Sequence, residues 1–274
     1  MNAGQKAVKY IGIFIGVLLA VCIIGSLAWL GLGALRFLTG GDRETGGFAQ
    51  DITGNITSLS IDSGYGSLRL AEGDGWRVEA ENVGDSFTCR VEDGQLSVRS
   101  EDFSLWDFLR LGHDTPSITV YMPAGQLESI RLASGTGELT AEAPLQADTV
   151  RLDGGAGSIT ISDVTTGFLQ ADMGVGKIYI QSGDVDGLKL DGGVGTLDFT
   201  GRLEGDAVID GGVGEVFLHL DGAAEDYTYQ VNGGIGEVLV NGEQLPDGRT
   251  ENPGAGRTIK IDGGVGTVSV DFPE

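Results

Sequence analysis

The sequence predicts an all-β protein, a parallel β-solenoid (right-handed, β-helix-like) with about 19–20 residues per coil, preceded by one transmembrane helix. Three observations carry this. A motif of the form apolar-x-apolar-Asp-Gly-Gly-x-Gly-x-apolar-x-apolar recurs, as in LKLDGGVGTLDF at 188–199. Its Asp position falls at Asp62, Ala133, Asp153, Asp172, Asp191, Asp210, Asn232 and Asp262, and the steps from 133 to 210 are 20, 19, 19 and 19. A fixed period near 20 marks stacked units, none of which buries a core alone. Finally, 26 residues from Tyr10 to Leu35 contain no charge.

Residues 1–9 carry Lys6 and Lys9 and are assigned to the cytoplasm. Residues 10–38 are assigned to the transmembrane helix. At about 1.5 Å per residue, the uncharged run exceeds a hydrocarbon core of roughly 30 Å. Two lysines and no acid precede the span, so the positive-inside rule places everything after it outside. A cleaved signal peptide ending near Ser26-Leu27-Ala28 competes, but the apolar run continues past Ala28 to Leu38. Residues 39–47 form a polar, Gly-rich linker. The extracytoplasmic β-repeat domain is 48–274. It holds a first repeat at 59–70, an irregular cap-like region at 71–128 and regular coils at 130–270.

Both flanks of each motif alternate with period two, the pattern of half-buried strands. Leu188 and Leu190 share one face, and Leu197 and Phe199 share another beyond the glycines. The phase changes across Gly-Gly-x-Gly, so the chain turns a corner there, and glycine reaches positive φ without a Cβ clash. The residue inside the corner (Ala156, Val175, Val194, Val213, Ile235, Val265) is mostly apolar and is expected to point into the core. The marker Asp is expected to accept hydrogen bonds from the turn's own N–H groups. Segments such as QSGDVDG (181–187) read as polar connections carrying one apolar residue, Val185 or Leu203. An antiparallel meander closed by Asp-Gly-Gly-x-Gly hairpins is the alternative fold. Within 71–128, Asp93-Gly94 reads as a hairpin turn. The stretch 101–114, with Phe103, Trp106 and Phe108, reads as an apolar loop covering the solenoid end.

The chain has 17 basic and 40 acidic residues, a net charge of −23. Residues 1–46 account for four basic and two acidic, which leaves 13 against 38, or −25, for the exported part. Such a surface repels nucleic acid and anionic headgroups, so DNA and RNA are excluded as partners. The position two before the marker (Arg131, Arg151, Lys189, Lys260) forms a basic row opposite the core. Cys22 lies in the span and Cys89 stands alone outside, so no disulfide framework holds the fold.

Chemistry is sparse. In calcium-binding nonapeptide repeats an Asp follows two residues after the third Gly; here that place holds Ile159, Ile178, Leu197, Val216, Val238 and Val268. A weaker cation reading remains for the stacked carboxylates of Asp153, Asp172, Asp191 and Asp210. The glycines precede a strand rather than a helix, so they make no dinucleotide fingerprint. His113 and His219 stand apart from any recognisable nucleophile and read as surface histidines. No catalytic, cofactor-binding or metal-binding residue is assigned, no cofactor is expected, and the chain is read as a non-enzyme.

The run of SITVYMP (117–123), LESIRLASGTGELTA (127–141) and the later coils resembles a bacterial putative-adhesin domain family of unknown function, over roughly 48–272. The resemblance implies a β-strand repeat fold behind one N-terminal span in the bacterial cell envelope, with an adhesin-like binding or structural role. Expected partners are the membrane, through the N-terminal helix, and an envelope protein or polysaccharide. An accessory of the envelope-stress response is the alternative, and a carbohydrate-active enzyme is a more distant one.

Overall fold

The computed structural model describes residues 46–100, 115–248 and 250–273. The expected transmembrane helix (10–38) and the apolar loop at 101–114 lie outside the described residues. Among the described residues no helix is long and apolar enough to cross a membrane.

The described residues form a solenoid-like stack of strands, paired in parallel along the body of the stack and antiparallel only at its ends. Successive coils align marker on marker: Ala133 on Asp153, Asp153 on Asp172, Asp172 on Asp191, Asp191 on Asp210. The second flank aligns as well, with Ile159 on Ile178, Ile178 on Leu197 and Leu197 on Val216. This register excludes the antiparallel meander, because the repeats pair side by side rather than folding back at each Gly-rich turn.

Each coil has a third side. The segments read as connections form their own ladder, Leu145 on Val164, Val164 on Gly183 and Gly183 on Gly201. Its inward side chains, Leu145, Val164, Val185 and Leu203, are at most 1% exposed. One apolar residue per segment is enough because the other two sides supply the rest of the core. That core is a column of inward Leu, Ile, Val and Phe, including Leu152, Leu190, Ile180 and Phe199, all buried. Burying each such side chain contributes about 1.5–3 kcal/mol.

The order of the stack departs from the order of the chain at both ends. The Asp262 coil lies between the Asp210 coil and the Asn232 coil, in register with both. At the other end, the Asp62 coil lies between the Ala133 coil and a rung made of Gln95–Ser100 and Ser117–Met122. The rungs therefore run Arg99, Asp62, Ala133, Asp153, Asp172, Asp191, Asp210, Asp262, Asn232. At about 4.8 Å per rung they span roughly 38 Å.

Antiparallel strands close both ends. Arg77–Val83 pairs with Ser117–Met122 and is covered by Gly46–Asp51. Thr88–Glu92 folds on Gln95–Ser100 through Asp93 and Gly94, both at positive φ, the hairpin read from the sequence. At the far end, Glu243–Gln244 and Thr250–Glu251 cover parts of the Asn232 coil. Beneath them Tyr227 and Tyr229 are buried. The Tyr227 hydroxyl donates to the Leu203 carbonyl at 2.8 Å, and Arg257 stacks on the Tyr227 ring at 4.5 Å.

The corner corrects one expectation. Val175, Val194, Val213, Ile235 and Val265 point outward and are 49–78% exposed, and Ala156 is exposed as well. The inward position belongs to the residue just after the marker, held by Ser63, Ser134, Met173 or glycine. Those three side chains are buried. At Gly192 an added Cβ would lie 3.1 Å from Val216 Cγ2, on the core side. The last glycine of the corner is conformationally obligatory. At Gly195, with φ +143°, a Cβ would fall 1.9 Å from the Gly176 carbonyl oxygen of the rung below. Backbone therefore stacks directly on backbone at the corner, and the side chain between the glycines can only project outward.

Gly195→Ala is expected to destabilise the fold by about 2–4 kcal/mol, from left-handed strain plus overpacking. Gly256→Ala, whose Cβ meets nothing within 4 Å, is expected to stay within about 0.5 kcal/mol. Urea unfolding compares the two. In the same measurement Leu197→Ala is expected to cost about 2–5 kcal/mol and Val194→Ala under about 0.5 kcal/mol. Equal losses at 194 and 197 would put the corner side chain inside.

Candidate functional site

The outward side chains form straight rows, because every coil repeats the same register. Three rows carry chemistry. The first is the marker row, together with the basic row two residues before it.

Residues two apart on a strand share a face, so both rows sit side by side on solvent. Arg151 reaches Asp153 on its own strand at 2.8 Å and also pairs with Asp172 on the next rung. Arg131 meets the other Asp153 oxygen at 2.5 Å. Gln170 donates to both Asp172 oxygens, at 3.2 and 3.0 Å. Lys260 lies 3.2 Å from Asp262, whose other oxygen accepts from the Asn232 amide at 2.7 Å. These pairings correct the turn-cap expectation for Asp153, Asp172 and Asp262. Asp210 alone of the four stacked carboxylates keeps a turn bond, from the Gly212 N–H at 3.3 Å. Asp191 and Asp210 have no basic partner among the described residues. The stacked carboxylates repel by roughly 1 kcal/mol per pair even in water, and the interleaved arginines offset this over the Asp153 and Asp172 rungs. Among the described residues no three His, Cys, Asp or Glu are grouped as metal ligands would be.

The second row is the corner ridge. Ala156, Val175, Val194, Val213, Val265 and Ile235 stand in register, one per rung. Glycine flanks each of the valines on both sides, so no neighbouring side chain on the strand covers the ridge.

The third row includes His219, 46% exposed on the outer face of the second side. Its Nε2 lies 3.9 Å from Asp198 and its Nδ1 lies 4.0 Å from Asp271. The Phe217 ring is parallel to the imidazole at 6.4 Å. Both carboxylates belong to the adjacent rungs. No hydroxyl or thiol faces this histidine within hydrogen-bond distance among the described residues. His113 lies outside the described residues. Cys89 is half-buried on an edge strand, and that burial pushes its thiol pKa up, away from the reactive thiolate.

One further feature was not legible in the sequence, an open trough of about 400 Å3 on the third side. Its wall holds Asp184, paired with Arg202 through Nε at 3.2 Å and Nη2 at 2.8 Å. The one glycine in its lining is Gly167, too weak a signal to find the trough from the sequence.

The family model described as Toastrack DUF4097 matches residues 56–241, more than half of the chain. The chain belongs to that family. It is similar to a solved putative cell adhesion protein of Clostridium sporogenes at 17% identity, TM-score 0.39, covering 84% of this chain and all of that one. A putative adhesin of Bacteroides fragilis aligns at 12% identity, TM-score 0.44, with the same coverage. A putative lipid binding protein of Parabacteroides distasonis aligns at 11% identity, TM-score 0.35, over 85% of this chain and 99% of that one. No curated protein matches the chain.

The Asn232 amide, and after it Lys260, hold the Asp262 carboxyl below the usual carboxylate range. A depressed folded pKa stabilises above the unfolded value of about 3.9 and ceases to do so as the pH falls through the folded value. Asn232→Ala is expected to remove part of this dependence. Urea midpoints of the variant and the parent should separate above about pH 5 and converge as the pH falls through the depressed folded value.

Proposed function

We propose that the chain is a single-pass protein of the bacterial cell envelope, adhesin-like and without catalytic activity. In this reading residues 10–38 hold it in the membrane and the acidic β-domain stands outside as a rigid binding platform. The observation that carries the reading is the corner ridge. Val175, Val194, Val213, Val265 and Ile235 are 49–78% exposed and fixed at rung spacing on a surface otherwise rich in carboxylates. A line of exposed aliphatic side chains rimmed by polar residues is how interaction surfaces differ from ordinary ones. The stack supports the role because its outward rows hardly deform, so a partner meets preordered side chains and ordering costs little. The net charge of −25 on the exported part favours neutral or basic envelope partners. The non-catalytic part of the reading rests on His219, which among the described residues faces two carboxylates and no nucleophile.

Protease added to intact spheroplasts is expected to digest the β-domain. Protection until the membrane is lysed would overturn the envelope placement. Val175→Ser combined with Val213→Ser is expected to change stability by under about 0.5 kcal/mol per site and to lower retention of the full chain on isolated cell envelopes. Unchanged retention would remove the ridge from the binding surface.

A further inference from the structure

The trough on the third side and an aromatic ring beside it stand apart from the ridge. The trough crosses five neighbouring strand segments, from Gln126 beside Leu127, through Ala147, Thr166 and Val185, to Leu203. Its volume of about 400 Å3 lies within the range of small-ligand sites. It is open along the stack rather than closed, which suits a chain-like ligand. One rung, about 4.8 Å, is close to the length of one pyranose residue along a polymer.

The lining is ordered in advance. The Gln126 amide donates to Asp148 at 3.1 Å. Arg202 is clamped twice by Asp184 and lies 3.1 Å from Glu204 through Nη1. The buried Thr166 hydroxyl donates to the Asp148 carbonyl at 3.1 Å. Thr165 and Asp186 are exposed along the same wall. Carboxylates, a guanidinium, an amide and a hydroxyl thus alternate along rigid strands, with their planes set by one another.

Phe168 is the chain neighbour of Gly167, one of the residues that line this trough. It follows Gly167 and stands in register with Thr149 and Gly187, and it is 41% exposed although it is a large aromatic. Its ring lies against Gly187, where an added Cβ would approach Cδ2 to 2.9 Å. The glycine leaves room for the ring beside the backbone.

Resting on the binding reading above, we infer that this trough and Phe168 form a binding site for a neutral glycan. A sugar ring has an apolar C–H face and a hydroxyl rim. The face suits the exposed ring of Phe168. Each hydroxyl both donates and accepts, so the rim suits a wall where carboxylates and a guanidinium alternate. An anionic polymer meets a domain of strongly negative charge, and a cationic one meets a wall where Asp184 and Glu204 are already paired with Arg202.

The test is isothermal titration of the full chain in detergent with cellotetraose, mannotetraose and N,N′,N″,N‴-tetraacetylchitotetraose. At least one is expected to bind, with little change on raising the salt. Phe168→Leu, apolar but without a ring face, is expected to weaken binding at least about tenfold, while Phe168→Trp retains it. Asp186→Asn is expected to weaken it, and urea midpoints check that each variant folds. No binding of any of the three at millimolar concentration overturns the proposal, as does equal binding by Phe168→Leu. Tetralysine binding that Asp186→Asn weakens and high salt abolishes would make the trough a basic-peptide site instead. Loss of the glycan result with envelope retention intact leaves the platform reading standing. Protease protection of the domain in spheroplasts removes that reading whatever the trough binds.

Discussion

Everything in this fold depends on the contact of glycine backbone with glycine backbone at one corner of each coil. An added Cβ at Gly176, Gly195 or Gly214 would lie within about 2.0 Å of the carbonyl oxygen one rung away. Only a chain without side chains there can turn the corner and still keep the flanking strands at hydrogen-bonding distance. That demand repeats the motif, holds the period at 19 residues through the middle of the stack, and keeps inward side chains in columns. It also decides the ridge. With the first corner position facing the core and the glycines stacked, the intervening valine has no direction left but outward.

A parallel stack has two open ends, and unpaired ladder edges invite association. This chain meets the problem in the same way at both. The terminal coil in sequence is not the terminal rung in space. The Asp62 coil and the Asp262 coil are each covered by a rung from elsewhere in the chain, and short antiparallel strands cover those rungs in turn. The coils nearest the two ends of the domain are thereby paired on both sides, which limits fraying where a solenoid is weakest. The Asn232 coil needs side chains to hold it, and Tyr227, Tyr229 and Arg257 supply them.

The same regular register organises the surface. Stacking like residues would build columns of like charge, and the Asp row is such a column. Arg131 and Arg151, one step before the acids on the same face, convert part of it into an alternating lattice. Such exposed pairs contribute little each, but they suppress a repulsion that the repeat itself creates. Over the Asp191 and Asp210 rungs the acids stay unmatched, so the surface is not uniform along its length. The apolar ridge and the polar trough lie on different edges of the coil, and a rigid stack presents both at once.

The strands, their period and the corner were all readable from residue order, since each is a local demand: alternation for a half-buried strand, glycine for positive φ. The hairpin at Asp93-Gly94 was readable for the same reason. The direction of Val194 was not, because period-two alternation is lost inside a turn and composition favours burying valine. The role of Asp153 was not, because its partner Arg131 lies one rung away and only register brings the two together. The order of the last two coils was hidden too. Spacing counts residues between motifs, and the 30-residue step from Asn232 to Asp262 fits either order. The trough, the ring of Phe168 on Gly187 and the carboxylates beside His219 belong to the same class. Each arises between residues about 19 or more apart that meet only when coils stack, so local sequence decided the coil and tertiary packing decided what the coils display.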